Sequence, residues 1–144
     1  MASLDDDAWT GVVRLHARVE HELAAALQRR HGLGLSEYRA LCHLSTAPDG
    51  ELRMQELADL LGLNQSSVTR LVGRLEAAGF TRRDLCPDDR RGVYTVITDA
   101  GRTRKQEASG TYEGTLTAAL DRAATVTGLG GLVAAVRDGA RVSS

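Results

Sequence analysis

The side chains of this chain best placed for chemistry are hydrogen-bond donors and cations, and they come in two groups. The first is "NQSSVTRLVGRLEAA", residues 64–78. Val68, Leu71, Val72 and Leu75 recur at three- and four-residue steps, which predicts a helix with those four inward. Left facing out are Gln65, Ser66, Thr69, Arg70, Gly73, Arg74 and Ala77, with Ser67 near the boundary. A glutamine amide suits the edge of adenine, hydroxyls suit several base edges, and a guanidinium suits guanine or phosphate. A helix face kept only for solvation favours Glu and Lys at i, i+4, whereas Ser, Thr and Gly are mediocre helix formers. The small Gly73 and Ala77 allow the backbone close to a groove wall.

The second group is "CPDDRRG", residues 86–92, between two short runs with strand-forming residues, 80–85 and 93–98. Pro and Gly supply turn chemistry, so the reading is a hairpin with a charged tip. Adjacent arginines repel unless acids hold them. Asp89 is assigned as the brace of Arg91, which would point outward into a narrow, electronegative minor groove. Arg90 is assigned to a phosphate. Chemistry of other kinds finds no support: there is no nucleophile–base set, no phosphate-cradling glycine loop and no ligand cluster among the scattered histidines. No enzyme activity, metal or cofactor is predicted. Cys42 is expected to pack in the core. Cys86, near Arg82, Arg83 and Arg90, has the positive neighbours that favour a thiolate.

These groups need elements to hold them. Trp9, Val12, Val13, His16, Val19, Leu23, Ala26 and Leu27 predict one helix over 4–31, with acids in its first turn and Arg29, Arg30 and His31 in its last. At ~1.5 Å per residue it is roughly 40 Å long, more than a compact domain of ~60 residues covers. Ser36 is read as the cap of a second helix with Tyr38, Leu41, Cys42 and Leu44 inward. Leu52 marks one short strand. Met54, Leu57, Ala58 and Leu61 predict a helix over 54–62 stopped by Gly62, and Asn64 caps the next. Two short helices at this spacing fit a helix-turn-helix or an ordinary helical hairpin; the β-hairpin directly after them favours the former. Thr98 caps a further helix, which Gly110 and Gly114 weaken, and a last amphipathic segment over 126–140 offers Leu129, Leu132, Val133 and Val136.

"ELADLLGLNQSSVTRLVGRLEAAGF" followed by "RRDLCPDDRRGVYTVITDAGR" closely resembles the winged helix-turn-helix of the MarR family of bacterial regulators, densely over 52–104 and more loosely over 33–44. Asp89, Arg91, Thr98 and Gly101 match the family's wing pattern, and residue 64 is Asn where Ser or Thr is common. The resemblance implies a mainly α fold with a small β-wing and N- and C-terminal dimerisation helices. It divides the chain into an N-terminal dimerisation helix (1–35), a DNA-binding domain (36–100) and C-terminal dimerisation helices (101–144). It implies a homodimer on a palindromic operator in double-stranded DNA. Ser66, Ser67, Thr69, Arg70 and Arg74 carry over as recognition-helix contacts, and Arg91 as the minor-groove residue. Many members bind a small, often phenolic or otherwise aromatic, effector. Trp9 and His16, seven residues apart on one face, with Tyr38, are the candidate lining of such a pocket.

Composition agrees with that expectation. The chain of 144 residues has a formal charge of −1, but residues 64–105 hold nine Lys/Arg against five Asp/Glu, a balance of +4, leaving nine against fourteen, −5, elsewhere. A local basic patch steers anions even when the total is near zero. Two cysteines without a CxxC motif fit a reducing compartment. The acidic start lacks the apolar stretch of a signal peptide, and no window approaches the ~20 apolar residues of a membrane span. The expectation is a cytoplasmic repressor. The rivals are a winged-helix module that binds protein without DNA, and a regulator that senses redox state through Cys86.

Overall fold

The computed structural model describes residues 3–85 and 93–142. Helices α1 (Leu4–His31) and α2 (Leu35–Thr46) lead through a short 3-10 turn (Pro48–Gly50) to strand β1 (Glu51–Arg53). Then come α3 (Met54–Leu61), α4 (Gln65–Ala77), the strands β2 (Thr81–Leu85) and β3 (Val93–Ile97), and helices α5 (Asp99–Ala124) and α6 (Gly130–Val142). The mainly helical architecture with a small antiparallel sheet is that of a winged helix-turn-helix. Contacts divide the described chain into two units, one from Met1–His31 with Thr111–Ser144 and one from Gly32–Gly110.

In the second unit the strand order is β1-β3-β2. β1 pairs antiparallel with β3 through Leu52↔Thr95, and β2 does so through Arg83↔Thr95. The strand expected at Leu52 is therefore the third of a sheet. Pairing is possible because Asp49 and Gly50 adopt positive φ, 58° and 66°, and turn the chain sharply after α2. Beneath lies a core of Leu41, Leu44, Leu57, Ala58, Val68, Leu71, Val72, Leu75 and Ile97, flanked by Leu52, Met54, Leu61, Leu63 and Phe80. Gly62 closes α3 in the left-handed conformation, φ 66° and ψ 33°, its N–H donating to the carbonyls of Ala58 and Asp59. Cys42 is half-buried.

The junction after the sheet explains two residues of the wing pattern. The Thr98 hydroxyl donates to the Gly79 carbonyl at 2.7 Å and accepts from the Gly101 N–H at 3.1 Å. A Cβ on Gly101 would lie 2.2 Å from the Phe80 carbonyl oxygen. Position 101 is thus glycine for lack of space, and Thr98 caps α5 while tying it to the exit from α4.

In the first unit Leu15, Val19, Leu23, Ala26 and Leu27 of α1 are buried, as are Ala119, Ala123, Leu129 and Val133. α1 packs on α6, where a Cβ on Gly11 would meet Leu132 at 2.8 Å. Polar ties flank the apolar seam: His31 Nε2 to Thr111 Oγ1 at 2.8 Å, Arg137 to Asp121 at 2.8 Å, and Arg122 to Glu22.

Three expectations need correction, and the end of α5, which the sequence leaves open, falls at Ala124. Ser36 does not cap α2; the N-cap is Gly34 and makes no side-chain cap bond, because the helix begins at Leu35. α5 runs through Gly110 and Gly114 to Ala124, where burial of Ala108, Ala119 and Ala123 outweighs a propensity penalty of about 1 kcal/mol per glycine. α6 starts at Gly130, after a turn in which Gly128 has φ 86°, and Val136 is exposed. On α1 the buried stripe includes Leu15, whereas Trp9, Val12 and Val13 are 67%, 38% and 52% exposed.

Candidate nucleic-acid interface

α4 presents the polar face read from its periodicity. Val68, Leu71, Val72 and Leu75 are all at most 1% exposed, so Gln65, Ser66, Thr69, Arg70, Gly73, Arg74 and Ala77 are turned to solvent and Ser67 is half-buried. Asn64 takes an extended backbone, φ −79° and ψ 170°, and its Oδ1 accepts from the Ser67 N–H at 2.9 Å and the Ser66 hydroxyl at 3.0 Å. The Thr69 hydroxyl donates to the Gln65 carbonyl at 2.8 Å. The cap and these two hydroxyls fix the first turn, leaving hydroxyl lone pairs, the Gln65 amide and the guanidinium groups to meet a partner.

The two arginines differ. Arg70 is exposed and, among the described residues, no ion pair reaches it. Arg74 Nε lies 3.6 Å from Glu37 Oε1 of α2, with the guanidinium side chain 57% exposed and the carboxylate side chain 22%. Two residues on, Glu76 Oε1 accepts from Arg83 Nε of β2 at 2.7 Å. α4 is tied on one side to α2 and on the other to the sheet.

Sequence reasoning missed the flank of this face. Arg53, Met54, Gln55, Gln65, Arg83 and Val93 line an open cleft of about 560 Å3 at the amino ends of α3 and α4. Arg53 Nε donates to the Tyr94 hydroxyl at 3.1 Å, and the guanidinium carbon sits 5.4 Å from the ring centroid, within cation–π range. The register Arg53↔Tyr94 makes that contact; the two are far apart in sequence and no local pattern links them. Gln55 is held by Asp59 Oδ1 at 2.9 Å.

The remaining expected residues lie elsewhere. Asp89, Arg90, Arg91 and Cys86 fall within 86–92, outside the described residues. Of the effector-pocket candidates, Trp9 and His16 are exposed on α1 in the first unit, His16 Nε2 lying 3.2 Å from Glu20 Oε1. Tyr38 is buried in α2 of the second. Among the described residues no group of three or more His, Cys, Asp or Glu is placed to hold a metal ion, and no helix is long and apolar enough to cross a membrane.

A capped helix-turn-helix followed by a β-hairpin, with a polar, cationic second helix, defines the winged-helix class. Residues 31–92 match the model of the MarR family. The HTH-type transcriptional regulator YkoM of Bacillus subtilis is 34% identical over 73 residues, 51% of this chain and 46% of that protein. The curated relatives matched are spanned over only 34% to 46% of their own lengths. Among solved structures, the MarR family regulator Sco3205 of Streptomyces coelicolor, crystallised in complex with DNA, is 27% identical, with a TM-score of 0.77 over 96% of this chain and 89% of that one. BpsR of Bordetella bronchiseptica, whose DNA binding is regulated by 6-hydroxynicotinic acid, shares the fold at 18% identity, with a TM-score of 0.75 over 100% and 98% of the two chains. Residues 31–92 thus match the MarR family of transcriptional regulators, and the chain shares its fold with MarR family regulators over nearly its whole length.

Proposed function

We propose that this protein is a homodimeric transcriptional repressor that binds a palindromic operator in double-stranded DNA and releases it when a small aromatic effector binds. The observation that carries the reading is the outer face of α4. Four apolar residues are buried beneath it, and Gln65, Ser66, Thr69, Arg70 and Arg74 stand on it. Those residue types read base edges in a major groove and hold phosphates beside it. The DNA complex of Sco3205 supports the assignment. Asn64, Ser67 and the wing residues Asp89, Arg90 and Arg91 complete the proposed contact set. Occupation of a promoter would exclude polymerase.

The dimer is supported by the exposed Trp9, Val12 and Val13 of α1, an apolar surface suited to a second copy. Two copies would set their α4 helices about 34 Å apart, one turn of duplex. The effector is supported by BpsR and the family resemblance.

Selection of bound fragments from genomic DNA, followed by titration of the recovered duplex at several salt concentrations, tests the reading. Neutralising roughly eight phosphates predicts a slope of log K on log salt near −7. Failure to retain any duplex at modest ionic strength would overturn it.

A further inference from the structure

We infer that Glu37 is a positioning residue for Arg74 that sharpens discrimination between DNA sequences, an inference that rests on the DNA-binding reading above. Glu37 lies in the first turn of α2, on a different helix from Arg74, and its carboxylate stands 3.6 Å from the Nε side of the guanidinium. An arginine has five N–H donors in a rigid fork, four of them on the two terminal nitrogens. A carboxylate at Nε leaves the terminal pair to face outward from α4 as a bidentate donor for a base edge or a phosphate.

The surroundings hold the carboxylate there. Its side chain is the less exposed of the two, 22% against 57%. A Cβ on Gly34 would lie 2.9 Å from Glu37 Oε1 and 3.4 Å from its Cδ. Gly34 has an ordinary φ of −71°, so what its lack of a side chain provides is room for this carboxylate.

Two effects follow from one negative charge at this spot. The pair limits the orientations of Arg74, which favours a duplex whose groups match the fork. It also places an anion near the phosphates of any duplex, which weakens sequence-independent attraction. Both raise the ratio of specific to non-specific binding without adding to total affinity. A residue that only braced α2 against α4 would do neither.

The test uses the full chain and two duplexes: one selected by the wild type from a random-sequence pool, and a scrambled one of the same composition. Wild type, Glu37→Gln, Arg74→Ala and the double variant are titrated by fluorescence anisotropy. Glu37→Gln is expected to bind the scrambled duplex more tightly while the selected duplex gains less, so that the ratio falls about threefold to fivefold, the scale of a partly exposed pair. In the Arg74→Ala background the same change is expected to lower the ratio by much less, since only the effect of the charge on the phosphates remains. Gly34→Ala, which displaces the carboxylate without removing it, is expected to lower the ratio in the same direction. An unchanged ratio in Glu37→Gln, or an equal fall with Arg74 absent, overturns the inference while leaving the DNA-binding reading intact. A wild type that retains neither duplex overturns that reading, and this inference with it.

Discussion

The two arginines of α4 differ in their surroundings, one open to solvent and one beside a carboxylate. Arg70 meets no ion pair among the described residues and its guanidinium is open to solvent, as the proposed contact with a base requires. Arg70→Ala is expected to weaken binding of the selected duplex by about 1–3 kcal/mol and to relax preference at one base position. Arg91→Ala is expected to cost a similar amount. A gel-shift titration against single-base variants of the duplex checks both. Loss that is uniform over every variant would show Arg70 to be a phosphate contact. At this scale the sequence disclosed much of the face, because burial of Val68, Leu71, Val72 and Leu75 dictates what lies opposite. It did not disclose Glu37 beside Arg74, or Arg53 over Tyr94. Those contacts depend on how helices and strands pack, and no periodicity carries that information.

Among the elements, α1, α3 and α4 were legible nearly to the residue, since each combines an apolar repeat with a stop or cap: Gly62 after α3, Asn64 before α4. β1 was legible only as a position, because three residues carry no alternation and its place beside β3 comes from pairing. The elements misread or left open share a cause. Ser36 is a good capping residue that lies inside the helix it was expected to begin, and Gly110 and Gly114 are poor helix formers inside a helix that continues. Tertiary burial overrode local preference in α5. Open space surrounds the Cβ direction at both glycines. Gly114→Ala is therefore expected to stabilise the protein by about 0.5–1 kcal/mol, read as a higher urea midpoint at unchanged slope. A lower midpoint would show that position 114 faces a neighbour too close for a methyl group.

For the whole molecule the proposal to test is that two copies act together. Leu4, Trp9, Val12 and Val13 of α1 and Val136 of α6 are exposed, Leu4 by 87% and Val136 by 54%. These residues belong to the unit that lacks α4. Trp9→Lys combined with Val13→Asp is expected to shift the species seen by light scattering from two copies to one, and to abolish binding to a palindromic duplex. The second unit should fold unchanged, since its core of Leu41, Leu57, Leu71 and Leu75 contains none of these side chains. A double variant that keeps both its mass and its duplex would place the dimer contact elsewhere.

The joint formed by Gly79, Phe80, Thr98 and Gly101 has a longer reach than its size implies. It fastens the rear of α4 to the head of α5 through one hydroxyl and one missing methyl. None of its four residues stands on the outer face of α4. On the DNA-binding reading proposed above, exchanges at Gln65, Ser66, Thr69 or Arg70 are expected to change which duplex is bound while this joint stays as it is. Under that proposal, single exchanges on the outer surface are expected to reach new binding sequences while the fastening behind them is inherited unaltered.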